Sequence, residues 1–290
     1  MPRLCTVAAP TELLSYLFMQ WPELKKKQIR TWLKYQAVTV NGRPISQFNH
    51  PLQPGDVVAI RTDRFAIPKT QLASGMKVYH EDATLIVIDK PENLLSVASL
   101  AEGEKTAYFQ LTDYLRQGKD HARDRIWIVH RLDKETSGLM VFAKTPEAKA
   151  ALQGGWESVT KRYEAVVEGQ LQRDSGALDS HLDESSPYRV RSAPASEQTR
   201  HALTRYRVLA RAAKRTLVAL ELETGRRHQI RVQLADLGHP IVGDEKYGAK
   251  TNPAHRLALH ACGLIFPHPL TGEEMKFESP LPKDLAKLVR

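Results

Sequence analysis

The sequence predicts an α+β protein: a mixed, mainly antiparallel sheet with helices packed against it, preceded by a small α/β unit. From Val78 onward, strand-like apolar runs outnumber helical segments and several follow one another directly, which is typical of such a sheet. Residues 1–62 have their own pattern of helices, strands and tight turns. A stretch that mixes charges with Pro, Ser and Gly separates the two parts. We therefore expect domains at 1–62 and 76–290, joined by a linker at 63–75.

The composition of the 290 residues is ordinary for a globular protein, with 42% hydrophobic and 26% charged residues. The two cysteines, Cys5 and Cys262, are too few for a disulfide framework or a four-cysteine zinc site, which favours a reducing compartment such as the cytoplasm. No apolar run approaches the ~20 residues that cross a bilayer, and Pro10 and Glu12 interrupt the moderately apolar start. We therefore expect a mature chain with no membrane partner.

The charge balance favours a polyanionic partner. There are 42 Lys and Arg against 33 Asp and Glu, a net charge of +9. Nucleic acid is the usual partner of such a protein, although a basic enzyme without one has the same balance. Residues 1–62 contain eight of the cations and three of the acids, so a net charge of +5 is concentrated in the first domain.

The segment from Glu23 to Tyr35 has the periodicity of an amphipathic helix. Its apolar stripe, at i, i+3 and i+4, is Ile29, Trp32 and Leu33. Its row of cations, at i, i+4 and i+8, is Lys26, Arg30 and Lys34. A solvated face would explain these cations on an isolated helix.

The residues after this helix favour a contact with RNA instead. Ala37–Val40 and Val57–Ile60 are predicted strands, and Asn41-Gly42 and Pro54-Gly55-Asp56 are predicted turns. Over residues 10–62 this order resembles the small RNA-binding domain first named from ribosomal protein S-four. The resemblance implies that the cationic face of the helix contacts RNA phosphates, which orient a substrate and carry little sequence information.

The second part of the chain is expected to contain six strands, two helices and one long loop. The predicted strands are Leu85–Ile88, Trp127–His130, Leu139–Phe142, Tyr163–Val167, Leu203–Leu209 and Thr216–Leu222. One helix begins at Thr145-Pro146 and runs towards Trp156, and the other runs from His228 to Leu237 and is ended by Gly238. Asp174 to Arg200, rich in Ser, Asp and Pro, is expected to be a surface loop. The absence of a G-x-G-x-x-G or Walker loop disfavours a dinucleotide or P-loop enzyme.

The segment from His130 to Leu139, H-R-L-D-K-E-T-S-G-L, lies between two apolar strands. An Asp at such a strand end can be held in a cleft by a rigid scaffold, although a turn Asp bonded to its own backbone has the same local pattern. The segment resembles the signature of the RluA-type pseudouridine synthases.

Further segments resemble the other motifs of that family, in the expected order. They are Tyr79–Asp82 with Lys90-Pro91, Lys161–Tyr163 with Ala165–Gly169, Thr224–Val232 with Leu237–Asp244, and Leu257–Ala261. With the first domain, the resemblance covers nearly the whole chain. The chain departs from the pattern at Asn93, where Gly is usual, at Arg227, where Thr is common, and at Gln233, where His is frequent.

The resemblance implies a pseudouridine synthase fold and an enzyme that isomerises uridine in RNA to pseudouridine. The reaction breaks the bond between uracil nitrogen 1 and the ribose and rejoins the base through carbon 5, so we expect no cofactor and no metal. By the same resemblance, Asp133 is the catalytic carboxylate and Arg231 is the guanidinium that keeps it ionised. Tyr163 stacks on the uracil, and its phenol can serve in removing the carbon-5 proton. Attack on the anomeric carbon, addition to the uracil ring and removal of a ribose proton all remain open.

The target base must leave its stack, at a cost of a few kcal/mol. Arg131, beside the nucleophile, is the candidate to fill the vacated space or to hold a phosphate. His130 either contacts RNA or orients the loop, and Leu259 either walls the base or belongs to the core. Arg226 and Arg227 are expected at the RNA surface.

Three other functions fit part of the sequence. A metal-dependent ribonuclease is disfavoured because the late histidines match no zinc motif: His228, His239, His255, His260 and His268. A non-catalytic RNA-binding protein or RNA chaperone would not need Asp133, Tyr163 and Arg231. A free-nucleoside glycosidase would leave the basic helix without a purpose. We expect a monomer whose partner is ribosomal or transfer RNA, with ribosomal RNA favoured by analogy with the first domain.

Overall fold

The structure, a computed structural model, describes residues 3–22, 26–34, 38–45, 47–60, 75–97, 106–116 and 125–289. The predicted linker at 63–75 lies outside these ranges except for Gly75. The ends of the predicted basic helix, Glu23 and Tyr35, and the side chain of Lys34 also lie outside the description. No helix in the described ranges is long and apolar enough to span a membrane.

The N-terminal unit packs two short helices, α1 (Leu13–Gln20) and α2 (Lys26–Lys34), against small antiparallel sheets. Its strands are β1 (Arg3–Thr6), β2 (Thr11–Glu12), β3 (Val38–Val40), β4 (Arg43–Pro44), β5 (Pro51–Leu52) and β6 (Val57–Ile60). The order of the larger sheet is β1-β6-β3-β4, and β2 pairs with β5.

The apolar stripe predicted for α2 faces the core of this unit. Ile29 and Leu33 are almost fully buried, whereas Lys26 and Arg30 are exposed. The predicted Asn41-Gly42 turn joins β3 to β4, with both residues at positive φ (52° and 79°), as a two-residue hairpin turn requires. Local sequence therefore determines both the buried face of the helix and the position of this hairpin.

The part of the chain after residue 75 is built on a sheet of eleven strands among the described residues. They are β7 (Lys77–Glu81), β8 (Leu85–Lys90), β9 (Trp127–Ile128), β10 (Ser137–Ala143), β11 (Thr160–Glu168), β12 (Ser175–Asp183), β13 (Arg191–Ala193), β14 (Thr199–Ala212), β15 (Arg215–Leu222), β16 (Leu259–Pro267) and β17 (Glu274–Glu278). The helices are α3 (Ala107–Arg116), α4 (Pro146–Gly154), α5 (Gln229–Asp236) and α6 (Lys283–Ala286). The strand order is β13-β12-β14-β15-β11-β16-β10-β8-β7, with β9 on β10 and β17 on β16.

All pairs in this sheet are antiparallel except β10 with β16, which run parallel. The prediction of a mixed, mainly antiparallel sheet is therefore confirmed. Every residue of β10 is buried, and its side chains alternate between two apolar clusters: Met140 and Phe142 pack on one side, Leu139 and Val141 on the other. Because both faces are covered, the register of this strand is strongly specified.

Each of the two predicted helices has the expected cap at one end, although α4 ends at Gly154, before Trp156, and α5 spans Gln229–Asp236. Thr145 accepts a hydrogen bond from the Ala148 N–H at the start of α4 (3.1 Å), and Pro146 is its first residue. After α5, Gly238 has φ +86°, and the N–H of His239 donates to the carbonyl of Leu234 (2.9 Å), as in a Schellman motif.

The prediction of a surface loop over Asp174–Arg200 is wrong for most of its length. β12 and β13 lie within it, and β14 starts at its end. Leu178 and Leu182 are the deeply buried residues of β12, spaced by four, so the sequence shows no clear alternation. The strand forms because its backbone pairs with β14 along its whole length, which overrides its polar composition.

The predicted strand Trp127–His130 is shorter than expected and ends at Ile128. The ladder stops because the N–H of Val141 in β10 donates to the ring Nε2 of His130 (3.1 Å). The ring of His130 thus accepts the backbone N–H of Val141, the hydrogen-bond donor that a longer β9 would need.

Candidate active site

The loop between β9 and β10 carries Asp133 and is held by buried polar side chains. The hydroxyl of Ser96 donates to the carbonyl of Leu132 (2.7 Å) and accepts from its N–H (3.1 Å). The ammonium of Lys90 donates to the carbonyl of Lys134 (3.2 Å). These bonds on both sides of Asp133 fix its backbone, so its carboxylate, 24% exposed, has a defined place in a cleft.

Arg231, on α5, is the buried centre of the charged cluster. Its Nε and Nη2 donate to the two carboxylate oxygens of Asp244, at 2.7 and 2.9 Å. Its remaining nitrogen, Nη1, lies 3.3 Å from Asp133 Oδ2 and 3.4 Å from Glu135 Oε2. Burial alone would lower the pKa of Arg231, but the hydrogen-bonded Asp244 and the charges of the other two carboxylates raise it. The guanidinium therefore remains a cation and lies within ion-pair distance of the Asp133 carboxylate.

The position of Asp244 depends on the glycine before it. Gly243 has φ +81°, and a Cβ at that position would lie 2.1 Å from the carbonyl oxygen of Arg256. A short 3₁₀ turn then brings the ring of Tyr247 to 5.3 Å from the guanidinium carbon of Arg231. The segment from Gly243 to Tyr247 thus supplies both an anion and an aromatic ring to the same guanidinium.

His228 precedes α5 in the left-handed conformation, with φ 53°, which is uncommon outside glycine and typical of functional sites. Its Nδ1 is hydrogen-bonded to the hydroxyl of Tyr247 (2.7 Å), and its Nε2 lies 3.8 Å from Asp133 Oδ1. Burial lowers the pKa of His228, although the charge of Asp133 opposes this shift. The imidazole is therefore held as a predominantly neutral neighbour of the carboxylate.

Lys90 is fully buried behind the loop that carries Asp133. Besides Lys134, its ammonium donates to the carbonyls of Pro91 (3.0 Å) and Leu94 (2.8 Å). Burial lowers the pKa of Lys90 to about 7, against the opposing charges of Asp133 and two other carboxylates. Lys90 is thus a second cation close to Asp133, buried away from solvent, and its charge depends on pH near neutrality.

Six of the predicted site residues line one cleft. They are Arg131, Asp133, Tyr163, Arg226, Arg231 and Leu259. Leu259 is buried in the wall, and Arg131 and Arg226 are exposed. Burial and the charge of Asp133 raise the pKa of Tyr163, so its phenol stays protonated at neutral pH.

The other predicted RNA-binding residues do not line this cleft. The ring of His130 stacks on Trp156, with centroids 4.4 Å apart, and burial lowers the pKa of His130 to about 3, so the ring is neutral. Lys26 and Arg30 lie on α2, each within 6 Å of the ring centre of Phe18 (5.6 and 5.8 Å).

The three departures from the family pattern have structural reasons. Asn93 has φ 59°, a conformation that Asn tolerates better than most residues other than Gly. The amide of Gln233 is buried and donates to the carbonyls of Leu178 (2.9 Å) and Ala202 (2.8 Å), which ties α5 to β12 and β14. Arg227 directs its guanidinium to backbone carbonyls of the loop between β12 and β13.

Four residues of the site were not predicted from the sequence: Asp244, Glu135, Tyr247 and Lys90. Asp244 and Lys90 lie inside the motifs quoted above. For Asp244 the available signal was its position directly after the apolar run P-I-V-G, because a buried carboxylate needs a partner. Glu135 gives no such signal, since it is partly exposed in a polar turn. In the part of the chain that the structure describes, no group of His, Cys, Asp and Glu is arranged to hold a metal ion.

The sequence pattern of the RNA pseudouridylate synthase family matches residues 84–236, just over half of the chain. The chain belongs to this family. An uncharacterized RNA pseudouridine synthase of Bacillus subtilis, YlyB, is 37% identical over 91% of this chain and 88% of its own length. The ribosomal large subunit pseudouridine synthase D of Vibrio cholerae is 32% identical, over 92% of this chain and 86% of its own.

A solved structure supports the same assignment for the fold. Human RNA pseudouridylate synthase domain containing 4 matches with a TM-score of 0.61 and 26% identity, over 72% of this chain and 90% of its own. The predicted pseudouridine synthase fold is confirmed. As a member of this family, the protein is an isomerase that converts uridine in RNA to pseudouridine.

Proposed function

We propose that Asp133 is the nucleophile of this synthase and that its substrate is a uridine in ribosomal large-subunit RNA. The first part is supported chiefly by the carboxylate of Asp133 in the cleft, 3.3 Å from the guanidinium of Arg231. The second is supported by the relatives from Vibrio cholerae and Escherichia coli, whose names state that substrate and which match this chain over 86% of their length.

Asp133 begins the reaction as an ionised carboxylate. The carboxylate makes a single contact with Arg231, while the two short hydrogen bonds of that guanidinium go to Asp244. The carboxylate is thus not held in a bidentate pair, and as the nucleophile it forms a covalent bond with the substrate, either at the anomeric carbon of the ribose or at the uracil ring.

Tyr163 stacks on the extruded uracil in the cleft, with Leu259 as the apolar wall. Burial raises the pKa of Tyr163, and the charge of Asp133 raises it further, so the phenol is protonated at the start of the reaction. Esterification of the carboxylate removes that charge and makes the phenol easier to ionise; the phenol must release its own proton to solvent before its oxygen can accept the carbon-5 proton. Tyr163 therefore acts on the carbon-5 proton after the covalent step, not before it.

The exposed cations bind the RNA around this cleft. Arg131 occupies the space that the flipped base leaves, and Arg226 contacts the backbone beside it. The N-terminal unit is an S-four-like RNA-binding domain whose row of Lys26, Arg30 and Lys34 contacts phosphates. The protein works as a cytoplasmic monomer without a cofactor or metal.

Mapping pseudouridines across all RNA of a strain that lacks the gene tests the substrate. We expect one or a few sites in ribosomal large-subunit RNA to lose the modification, and to regain it with the wild-type gene but not with Asp133→Asn. Loss confined to transfer RNA would contradict the ribosomal assignment, and recovery with Asp133→Asn would contradict the nucleophile.

A further inference from the structure

The loop of residues 184–190, between β12 and β13, is held in one conformation by Arg227; we call it the rim loop. The N–H of Arg227 donates to the Glu184 carboxylate (2.6 Å). Its guanidinium donates to the carbonyls of Glu184 (3.2 Å), Pro187 (3.0 Å) and Ser186. Because Arg227 directly precedes His228, the residue that orders the loop also adjoins the catalytic cluster.

A second link joins the rim loop to the same cluster through Tyr247. The N–H of Val190 donates to the hydroxyl of Tyr247 (3.2 Å), and the guanidinium of Arg189 lies 5.4 Å from the centre of its ring. The guanidinium of Arg231, which contacts Asp133, lies 5.3 Å from that ring. The rim loop is therefore separated from the catalytic pair by one aromatic side chain.

Tyr188, in this loop, is the most exposed large hydrophobic side chain of the described residues, at 80%. Its backbone is ordered, since its N–H donates to the hydroxyl of Ser186 (3.3 Å). Among the described residues, the ring of Tyr188 makes no aromatic or cation–π contact. Single exposed apolar side chains are common on proteins, but this one stands on an anchored loop, next to a cation, and the loop is linked to the active site through Arg227 and Tyr247. An exposed ring with a neighbouring cation is the platform on which unpaired RNA bases stack.

We propose that the rim loop is an RNA-contact surface in which Tyr188 stacks on an unpaired base next to the target uridine. The proposal rests on the proposed function, because flipping the uridine exposes the faces of its neighbours. Arg189 then adds a cation for the phosphate beside that base. Tyr188 acts on binding and on the choice of site, and it takes no part in the chemistry.

Release of tritium from carbon 5 of uracil provides the test, since that hydrogen is lost when the base rejoins through carbon 5. The substrate is ribosomal RNA from the gene-deletion strain, labelled at this position. We expect Tyr188→Ala to lower kcat/KM by about tenfold through KM, with kcat at saturating RNA nearly unchanged. Tyr188→Phe should keep the wild-type value, because stacking needs the ring and not the hydroxyl. Leu270→Ala is the matched control, since Leu270 is 66% exposed in a turn between two other strands.

The possible results distinguish failure of the Tyr188 contact from failure of the proposed ribosomal substrate. Wild-type protein that releases no tritium would contradict the ribosomal substrate, whatever Tyr188 does. Active wild-type protein with an equally efficient Tyr188→Ala variant would overturn the RNA contact, as would a Tyr188→Phe variant as weak as Tyr188→Ala. A change in sedimentation of Tyr188→Ala without a change in RNA kinetics would assign the ring to a protein contact and would also overturn it.

Discussion

The guanidinium of Arg231 divides its nitrogens unequally between three carboxylates. Two short hydrogen bonds go to the buried Asp244, whereas Asp133 and Glu135 share the third nitrogen at longer distances. Asp244 therefore fixes the orientation of the guanidinium. Asp133 lies beside the positive charge, and its carboxylate remains available for the substrate. This division makes Asp244 a positioning residue that acts through Arg231.

Asp244→Asn tests this division. The variant loses one charge and one acceptor of the fork, so Arg231 is free to turn towards Asp133. We expect kcat to fall by about 10²-fold, as for other small misplacements in an active site, with RNA affinity and KM nearly unchanged. Tritium release from labelled RNA measures both constants. Asp236→Asn, at an exposed position of the same helix, should keep the wild-type kcat, and an equal kcat for Asp244→Asn would contradict the positioning role.

At the residue scale, the sequence identified the members of the site that belong to a recognisable pattern. Asp133, Tyr163 and Arg231 line the predicted cleft because each stands in a motif with a known order. The roles of Lys90 and Asp244 could not be predicted, since their partners are chosen by the fold. Lys90 reaches a carbonyl 44 residues away, which no local pattern encodes.

At the scale of elements, the parallel pairing of β10 and β16 determines where the loop of Asp133 emerges. Gly138 in β10 has φ +122°, and a Cβ there would lie 2.3 Å from the carbonyl oxygen of Ala261 in β16. Only glycine allows the two strands to approach this closely. Asp133 stands five residues before this contact, so the glycine and the active site are structurally linked.

Gly138→Ala should therefore destabilise the protein by about 3 kcal/mol, because it combines a strained φ with a backbone clash. Gly154→Ala is the matched control: Gly154 ends α4 and a Cβ there meets nothing within 4 Å. That change should stabilise the helix by about 0.5–1 kcal/mol. Thermal unfolding followed by circular dichroism compares the two, and equal midpoints would contradict the close-approach argument.

The exposed cations of α2 lead to a prediction about how RNA affinity depends on salt. If Lys26 and Arg30 each contact a phosphate, the double variant to Ala should reduce the log–log slope of RNA affinity against salt by about 0.7–0.9 per lost contact. Affinity measurements between 50 and 200 mM salt, about the range over which such slopes are determined, provide the test. Lys283→Ala with Lys287→Ala, two exposed cations near the C-terminus, is the control that should leave the slope unchanged. An unchanged slope in the α2 variant would refute the assignment of this face.

The prediction of elements succeeded where side chains alone decide the structure and failed where pairing decides it. Thr145-Pro146 starts α4 through its own cap, and Asn41-Gly42 forms its hairpin turn, both as local rules require. β12 is polar and irregular in sequence, and it exists because β14 and the amide of Gln233 supply partners for its backbone. Such a strand is specified by residues distant in the chain.

At the scale of the whole molecule, buried neutral histidines make stability depend on pH. Burial lowers the pKa of His130 to about 3 and that of His260 to about 4, whereas both titrate near 6.5 in the unfolded chain. Between those values the unfolded state binds more protons than the native state. The free energy of unfolding therefore falls as the pH is lowered from 6.5 towards 4.

Urea unfolding at pH 7, 6, 5 and 4 measures this dependence. Other groups add to the slope in the wild type, so the comparison is with His130→Asn, which removes one of the two histidines. We expect the variant to be less stable at pH 7, with a slope shallower by up to about 1.4 kcal/mol per pH unit. Equal slopes for the two proteins would mean that His130 is not held neutral in the native state.

The yield of pseudouridine from Asp133→Asn shows whether the carboxylate of Asp133 performs the covalent step. The change keeps the size of the side chain and removes its charge, and the contact with Arg231 has no catalytic value without that charge. On RNA that the wild-type enzyme modifies, we predict no detectable pseudouridine and RNA binding close to that of the wild type. Pseudouridine formation by Asp133→Asn at the wild-type rate would mean that this carboxylate does not perform the covalent step.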